Sequence, residues 1–79
     1  MKMITIYGTG CARCKQTEAI VRRVATELGA DVTIAKVEDM QAIVNAGVMA
    51  TPAVAIDGTL LLSGRIPRPE DVKHWLARQ

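Results

Sequence analysis

The sequence predicts an α/β fold: a four-stranded mixed sheet with helices on both faces, in the order β-α-β-α-β-β-α. Three observations carry that expectation. Short runs of β-branched residues alternate with stripes of helical period. Asp57-Gly58 stands between two apolar runs, where a tight hairpin turn needs residues that tolerate positive φ. Gly29, Gly47 and Pro69 fall where helices would end or begin.

The elements follow in order. Residues 3–7, MITIY, read as a strand ending at Gly8. Gly8-Thr9-Gly10 is a flexible turn, and Thr9 or Gly10 can serve the start of a helix over 11–28. In that helix Ile20, Val24 and Leu28 recur every fourth residue beside Val21 and Ala25, and Gly29 supplies a left-handed end. Residues 31–37 form a second strand with Val32, Ile34 and Val37 as its apolar members. Asp39 is suited to cap a short helix carrying Met40, Ile43 and Val44, which Asn45 and Gly47 end. Residues 48–51 connect to Pro52; residues 53–56 and 59–62 are the two arms of the hairpin, and Ser63-Gly64 closes it. Pro67 and Pro69 punctuate the next loop. Glu70 and Asp71 favour the positive end of a final helix, with Val72, Trp75 and Leu76 as its buried stripe. The first crossover is expected to be right-handed, which makes the first two strands parallel neighbours. No repeat, linker or low-complexity segment divides the chain, so residues 1–79 are read as a single domain.

Composition narrows the function. The chain has 79 residues and is 49% hydrophobic, but it has one Trp, one Tyr and no Phe, so its core has to be aliphatic. A domain this short buries only about 60% of its unfolded surface and needs an efficient core. The formal charge of +2 and pI of about 8.8 come without a basic block or a Lys/Arg stripe interleaved with aromatics. Nucleic acid is therefore not an expected partner, and Arg22-Arg23 reads as solvated helix surface. No apolar stretch approaches the roughly 20 residues needed to span a bilayer, so a membrane is not expected either. The opening residues lead straight into a strand and lack the marks of a signal peptide, which makes the cytoplasm the expected location and a monomer the expected state. Cysteines in a reducing compartment do not persist as structural staples. Cys11 and Cys14 are thus read as catalytic, redox-sensing or metal-binding.

The informative motif is Gly8-Thr9-Gly10-Cys11-Ala12-Arg13-Cys14, after a strand and opening a helix. The spacing lets both sulfurs meet across one helical turn. At a helix start, outward N–H groups and the positive end of the dipole favour thiolate over thiol, which is expected to lower the Cys11 pKa. Arg13 and Lys15 add positive charge, screened where exposed. Cys14, one turn inside, is expected to be less exposed. In this scheme Cys11 attacks a substrate disulfide and Cys14 resolves the mixed disulfide, with the Cys11–Cys14 disulfide as the redox group and no other cofactor. Two alternatives use the same residues: a soft-metal module binding Cu(I) or Zn(II), and a non-catalytic redox sensor. His74 and four Met are the other soft or imidazole donors; His74, far along the chain, reads as surface, and no metal ligands are assigned.

On this motif, with Ala50-Thr51-Pro52 before the third strand and Ile56-Asp57-Gly58 leading to Ser63-Gly64 and a last helix, the chain resembles the thioredoxin superfamily. It is most similar in size and layout to the very small thioredoxin-like, glutaredoxin-like "redox-active disulfide" proteins. The resemblance covers nearly the whole chain and implies a thioredoxin fold. It further implies a thiol–disulfide oxidoreductase acting on disulfide-containing proteins, a thioredoxin-reductase-like electron donor, and a cis Thr51-Pro52 bond facing the cysteines. Gly10, Ala12, Arg13, Thr51 and Pro52 would then meet the substrate, with Thr51 offering its backbone for strand addition. Several positions depart from the family's pattern. Ala12-Arg13 replaces the Gly-Pro or Pro-Tyr of common relatives, no Trp precedes Cys11, and Thr5 stands where thioredoxins carry a buried carboxylate. Lys36 matches a family lysine but reads as a surface residue without that acid. Ser63-Gly64 replaces a Gly-Gly, so efficient glutathione use is not implied. Gly10, Val48, Met49, Ala50 and Thr51 form the expected docking surface.

Overall fold

A computed structural model describes residues 2–10 and 12–77. Its elements are β1 (Lys2–Tyr7), α1 (Ala12–Leu28), β2 (Val32–Val37), α2 (Met40–Asn45), β3 (Ala53–Ile56), β4 (Thr59–Ser63) and α3 (Pro69–Ala77). The four strands lie in the order β2-β1-β3-β4. β1 pairs parallel with β2 and antiparallel with β3, and β3 pairs antiparallel with β4. No helix among the described residues is long and apolar enough to cross a membrane.

Strand alternation assigns the two faces. Ile4 and Ile6 of β1, Val54 and Ile56 of β3, and Leu62 of β4 join Val21, Val24 and Ala25 of α1 and Val72 and Leu76 of α3 in the main core. The intervening positions point the other way: Ala53 packs with Ile43 of α2 and with Val48, and Tyr7 and Val37 lean on this second cluster. Helices thus cover both faces, with α1 and α3 together on one side. The aliphatic core expected from composition is what fills both clusters.

Local chemistry fixes the ends. Asp39 caps α2 by accepting from the Ala42 N–H at 3.2 Å. Gly29 ends α1 at φ +63°. Asp57, at φ +51°, turns the hairpin with Gly58 and also reaches across the sheet. Its carboxylate accepts from the Met3 N–H at 2.9 Å, and its own N–H donates to the Met3 carbonyl at 2.8 Å. The pairing of β3 with β4 slips between Val54 and Ala55, so that Leu61 bulges on the edge strand.

Of the three apolar residues that α2 carries, Met40 and Val44 lie exposed and Ile43 is buried. Val48, expected on a docking surface, is buried, because it seals the second cluster under α2.

At the junction between β1 and α1, Gly8 and Cys14 pack closely together. Gly8 continues the β1–β2 ladder by donating to the Val37 carbonyl at 2.9 Å. It is buried, and a Cβ placed on it would run into the Cys14 sulfur and lie 3.0 Å from the Cys14 Cβ. Its need for glycine is the close approach, since Gly8 is not among the positive-φ residues.

Two stability measurements test this packing. Ile4, 1% exposed at the centre of the main core, truncated in Ile4→Ala, is expected to cost about 2–5 kcal/mol in urea unfolding with an unchanged slope. Gly8→Ala is expected to cost about 1–3 kcal/mol by overpacking. In a Cys14→Ala background much of that cost is expected to vanish, because the obstructing sulfur is gone; strictly additive losses would contradict the contact.

Candidate functional site

The C-terminal ends of parallel β1 and β2 meet the N-terminal end of α1. Cys14 lies in the first turn of α1 and is 6% exposed, wedged against Gly8. This is the sheltered position expected of it. Ala12 and Arg13, immediately before it, are exposed. Cys11, the expected nucleophile, lies outside the described residues, and so does any geometry of the Cys11–Cys14 pair. One turn further along α1, Thr17 is fully buried and satisfies its hydroxyl by donating to the Arg13 carbonyl at 2.9 Å.

The Thr51-Pro52 bond is cis, consistent with what the resemblance implies. Pro52 is buried and Thr51 half-buried. Two hydrogen bonds fasten this segment to the end of β4, where Gly64 packs close to Ala50. The Ser63 hydroxyl donates to the Ala50 carbonyl at 3.1 Å, the Gly64 N–H donates to the Pro52 carbonyl at 2.9 Å, and a Cβ on Gly64 would lie 3.1 Å from that of Ala50. Arg13 Nη2 then donates to the Gly64 carbonyl at 3.3 Å. A chain of hydrogen bonds therefore joins the first turn of α1, through Gly64, to Pro52. Of the expected substrate-facing residues, Arg13, Pro52 and their neighbours are brought together in this way. Gly10, at φ +86°, lies instead toward β2, where its Cβ position is 3.7 Å from Glu38 Oε2. Met49, beside Ala50, is 97% exposed.

Behind Cys14 is a narrow crevice with about 10 Å³ of space for water, lined by Ile6, Gly8, Gly10, Cys14, Lys15, Glu18, Lys36 and Glu38. Two broader hollows, of about 350 and 460 Å³, lie around the starts of β1 and β2 and the C-terminal half of α1, away from the cysteine. The crevice is charged on one side. Lys36 Nζ is 3.2 Å from Glu18 Oε1 and 3.8 Å from Glu38 Oε2, while Arg22 Nε donates to Glu18 Oε2 at 2.9 Å. The Arg22 hydrogen bond, reinforced by Lys36, holds the Glu18 carboxyl below its usual pKa despite partial burial. Lys36 is a surface lysine as expected, its side chain 44% exposed, and it bridges the two carboxylates.

Sequence reasoning passed over Gly8 as a contact, Glu18 and Glu38 as neighbours of Cys14, and Gly64 as the link to Arg13. A signal existed for two of them. Cys14, Glu18 and Arg22 are spaced by four along α1, and Lys36 and Glu38 continue the face of β2 that carries Val32 and Ile34. No cluster of three or more His, Cys, Asp and Glu suited to a metal forms among the described residues.

Comparison with known proteins agrees with this architecture. A family model described as "Thioredoxin domain" matches residues 2–77. A thioredoxin of Methanothermobacter thermautotrophicus is 42% identical over 77 residues, covering 98% of this chain and all of that protein. A thioredoxin of Methanocaldococcus jannaschii is 42% identical over 76 residues, covering 96% of this chain and 87% of the relative. Among solved structures, oxidised mitochondrial thioredoxin 3 of Saccharomyces cerevisiae superposes with a TM-score of 0.67 over 99% of this chain and 78% of that one; at 21% identity it speaks to the fold alone. The chain belongs to the thioredoxin domain family and is a thiol–disulfide oxidoreductase.

Proposed function

We propose that this oxidoreductase reduces or exchanges disulfides in protein substrates, with Cys11 as the attacking nucleophile and Cys14 as the resolving thiol. The observation that carries the assignment is the burial of Cys14 against Gly8. A thiol in that position has no room for an incoming polypeptide, so the external attack falls to the other member of the motif. The Cys11 thiolate attacks a substrate sulfur, forms a mixed disulfide and releases one substrate thiolate. The Cys14 thiolate then attacks the Cys11 sulfur, forming the Cys11–Cys14 disulfide and releasing the second. Two electrons pass from the protein dithiol to the substrate, and a thioredoxin-reductase-like donor returns them.

Substrate docks across the rim formed by Ala12, Arg13, Thr51 and Pro52, with Gly10 bordering it on the β2 side. Thr51 supplies backbone pairing to an extended segment, and exposed Met49 supplies an adaptable apolar contact. The protein works as a monomer in the cytoplasm, where the reducing poise keeps the dithiol charged for the next cycle.

Two experiments test this reading. Cys11→Ser is expected to abolish reduction of a protein disulfide, whereas Cys14→Ser accumulates mixed disulfides visible on non-reducing gels. Full turnover by both variants would exclude the scheme, as would the failure of Cys11 and Cys14 to form an intramolecular disulfide at any glutathione poise. Met49→Asp is expected to lower turnover of a protein substrate several-fold by raising KM while leaving the unfolding midpoint unchanged; the rate toward a small disulfide reagent is expected to hold.

A further inference from the structure

Charges around the site are settled on one side and left open on the other. Toward β2 they close on one another: Lys36 lies between Glu18 and Glu38, and Arg22 donates to Glu18. Lys15, on the same side, shares the crevice with those two carboxylates. Toward β3 and β4 they do not close. Arg13 and Arg65 are both exposed, and among the described residues neither forms an ion pair. The acids that follow on α3 do not serve them. Asp71 is taken by Arg68 at 3.4 Å, and Glu70 pairs with neither.

The backbone brings these two arginines together. Arg13 Nη2 donates to the Gly64 carbonyl at 3.3 Å. That carbonyl belongs to the peptide unit joining Gly64 to Arg65, which is trans. In a trans peptide the oxygen lies about 2.8 Å from the next Cα, so the Arg13 guanidinium is held within roughly 6 Å of the Arg65 Cα. Two cations are thus carried at one peptide unit with no carboxylate between them, an arrangement that repels and gains nothing within the fold. The same hydrogen bond fixes the guanidinium. It leaves most of the N–H donors of Arg13 open as a planar fork, able to hold a carboxylate at little further ordering cost. Because the Gly64 N–H donates to the Pro52 carbonyl at 2.9 Å, this fork stands at a set place beside the Thr51-Pro52 segment.

Resting on the assignment of protein disulfides as substrate, we infer that the β3–β4 side of the rim selects substrates whose disulfide is flanked by aspartate or glutamate, and that Arg13 and Arg65 are the residues that select them. The occupant is an acidic polypeptide segment. A nucleic-acid backbone needs a longer track of cations than two arginines. Between them and Thr51 the rim offers backbone, which suits an extended chain. Substrate carboxylates replace water on the two guanidiniums and relieve their mutual repulsion. Since both arginines are exposed, the pair acts chiefly on association rate and on the choice among substrates.

Peptides of one sequence separate charge from chemistry when each carries a single cysteine as its pyridyl disulfide, with Asp, Ser or Lys at the two flanking positions. Attack on the peptide sulfur by the reduced protein releases pyridine-2-thione, a neutral chromophore. Each rate constant is divided by that of dithiothreitol on the same peptide, which removes differences in intrinsic reactivity. At low salt the Asp peptide is expected to react about tenfold faster than the Ser peptide and the Lys peptide about tenfold slower, with the spread closing in about 0.5 M salt. Arg13→Gln and Arg65→Gln are each expected to lower the Asp-to-Ser ratio about threefold, and Arg65→Glu to invert it. Arg23→Gln, which takes one positive charge from the far part of α1, is expected to keep the ratio. Equal rates for the three peptides, or a ratio that Arg23→Gln lowers as much as Arg65→Gln does, would overturn the inference. Failure of the unsubstituted protein to release the thione even from the Ser peptide would instead overturn the reading of peptide disulfides as substrate on which the inference rests.

Discussion

The site depends on how closely the first turn of α1 approaches the end of β1. That approach is set by Gly8, which leaves no space for a β-carbon between the strand and the Cys14 sulfur. Everything else about the site follows from seating the helix there. Val21 and Val24, two and three turns further along, are then fully withdrawn from water against the sheet, and this burial is what holds the helix in place. The energy is ordinary core energy; the glycine converts it into a position for one sulfur.

Strand order decides which chemistry reaches that sulfur. β1 lies between β2 and β3, so its C-terminal end faces the charged end of β2 on one side and the start of β3, with Pro52 before it, on the other. The two sides differ in character. Toward β2 the surroundings are ionic, with Lys36 shared between Glu18 and Glu38. Toward β3 they are backbone, with Gly64 connecting Pro52 to Arg13. The buried Cys14 thiol thereby lies in a site with an ionic side toward β2 and a backbone side toward β3.

The sequence made some of this legible and hid the rest for identifiable reasons. The hairpin at Asp57-Gly58, the stripe of α1 and the cap at Asp39 are local patterns, and each was readable because the residues that dictate them are neighbours in the chain. Cys14 was readable as a sheltered sulfur from its place one turn inside a helix start. The misplacement of Val48 has a different origin. A short apolar loop residue looks the same whether it faces solvent or plugs the space beneath α2, and only the packing with Ile43 and Ala53 decides. Gly8 was hidden in the same way, since a glycine required by a side chain six residues further on is indistinguishable in sequence from one required by a turn. Lys36 and Glu38 were half visible: period two puts them on one face of β2, but the parallel pairing with β1 is what sets them against Cys14.

The central placement of β1 has a consequence for synthesis. β1 and both cysteines leave the ribosome before β3, which supplies half of the β1 ladder, and before Asp57, which clasps Met3. During translation the growing polypeptide carries its dithiol with no floor beneath it and no Pro52 or Gly64 beside it. The burial of Cys14 is a property of the completed sheet, acquired when the hairpin closes against β1.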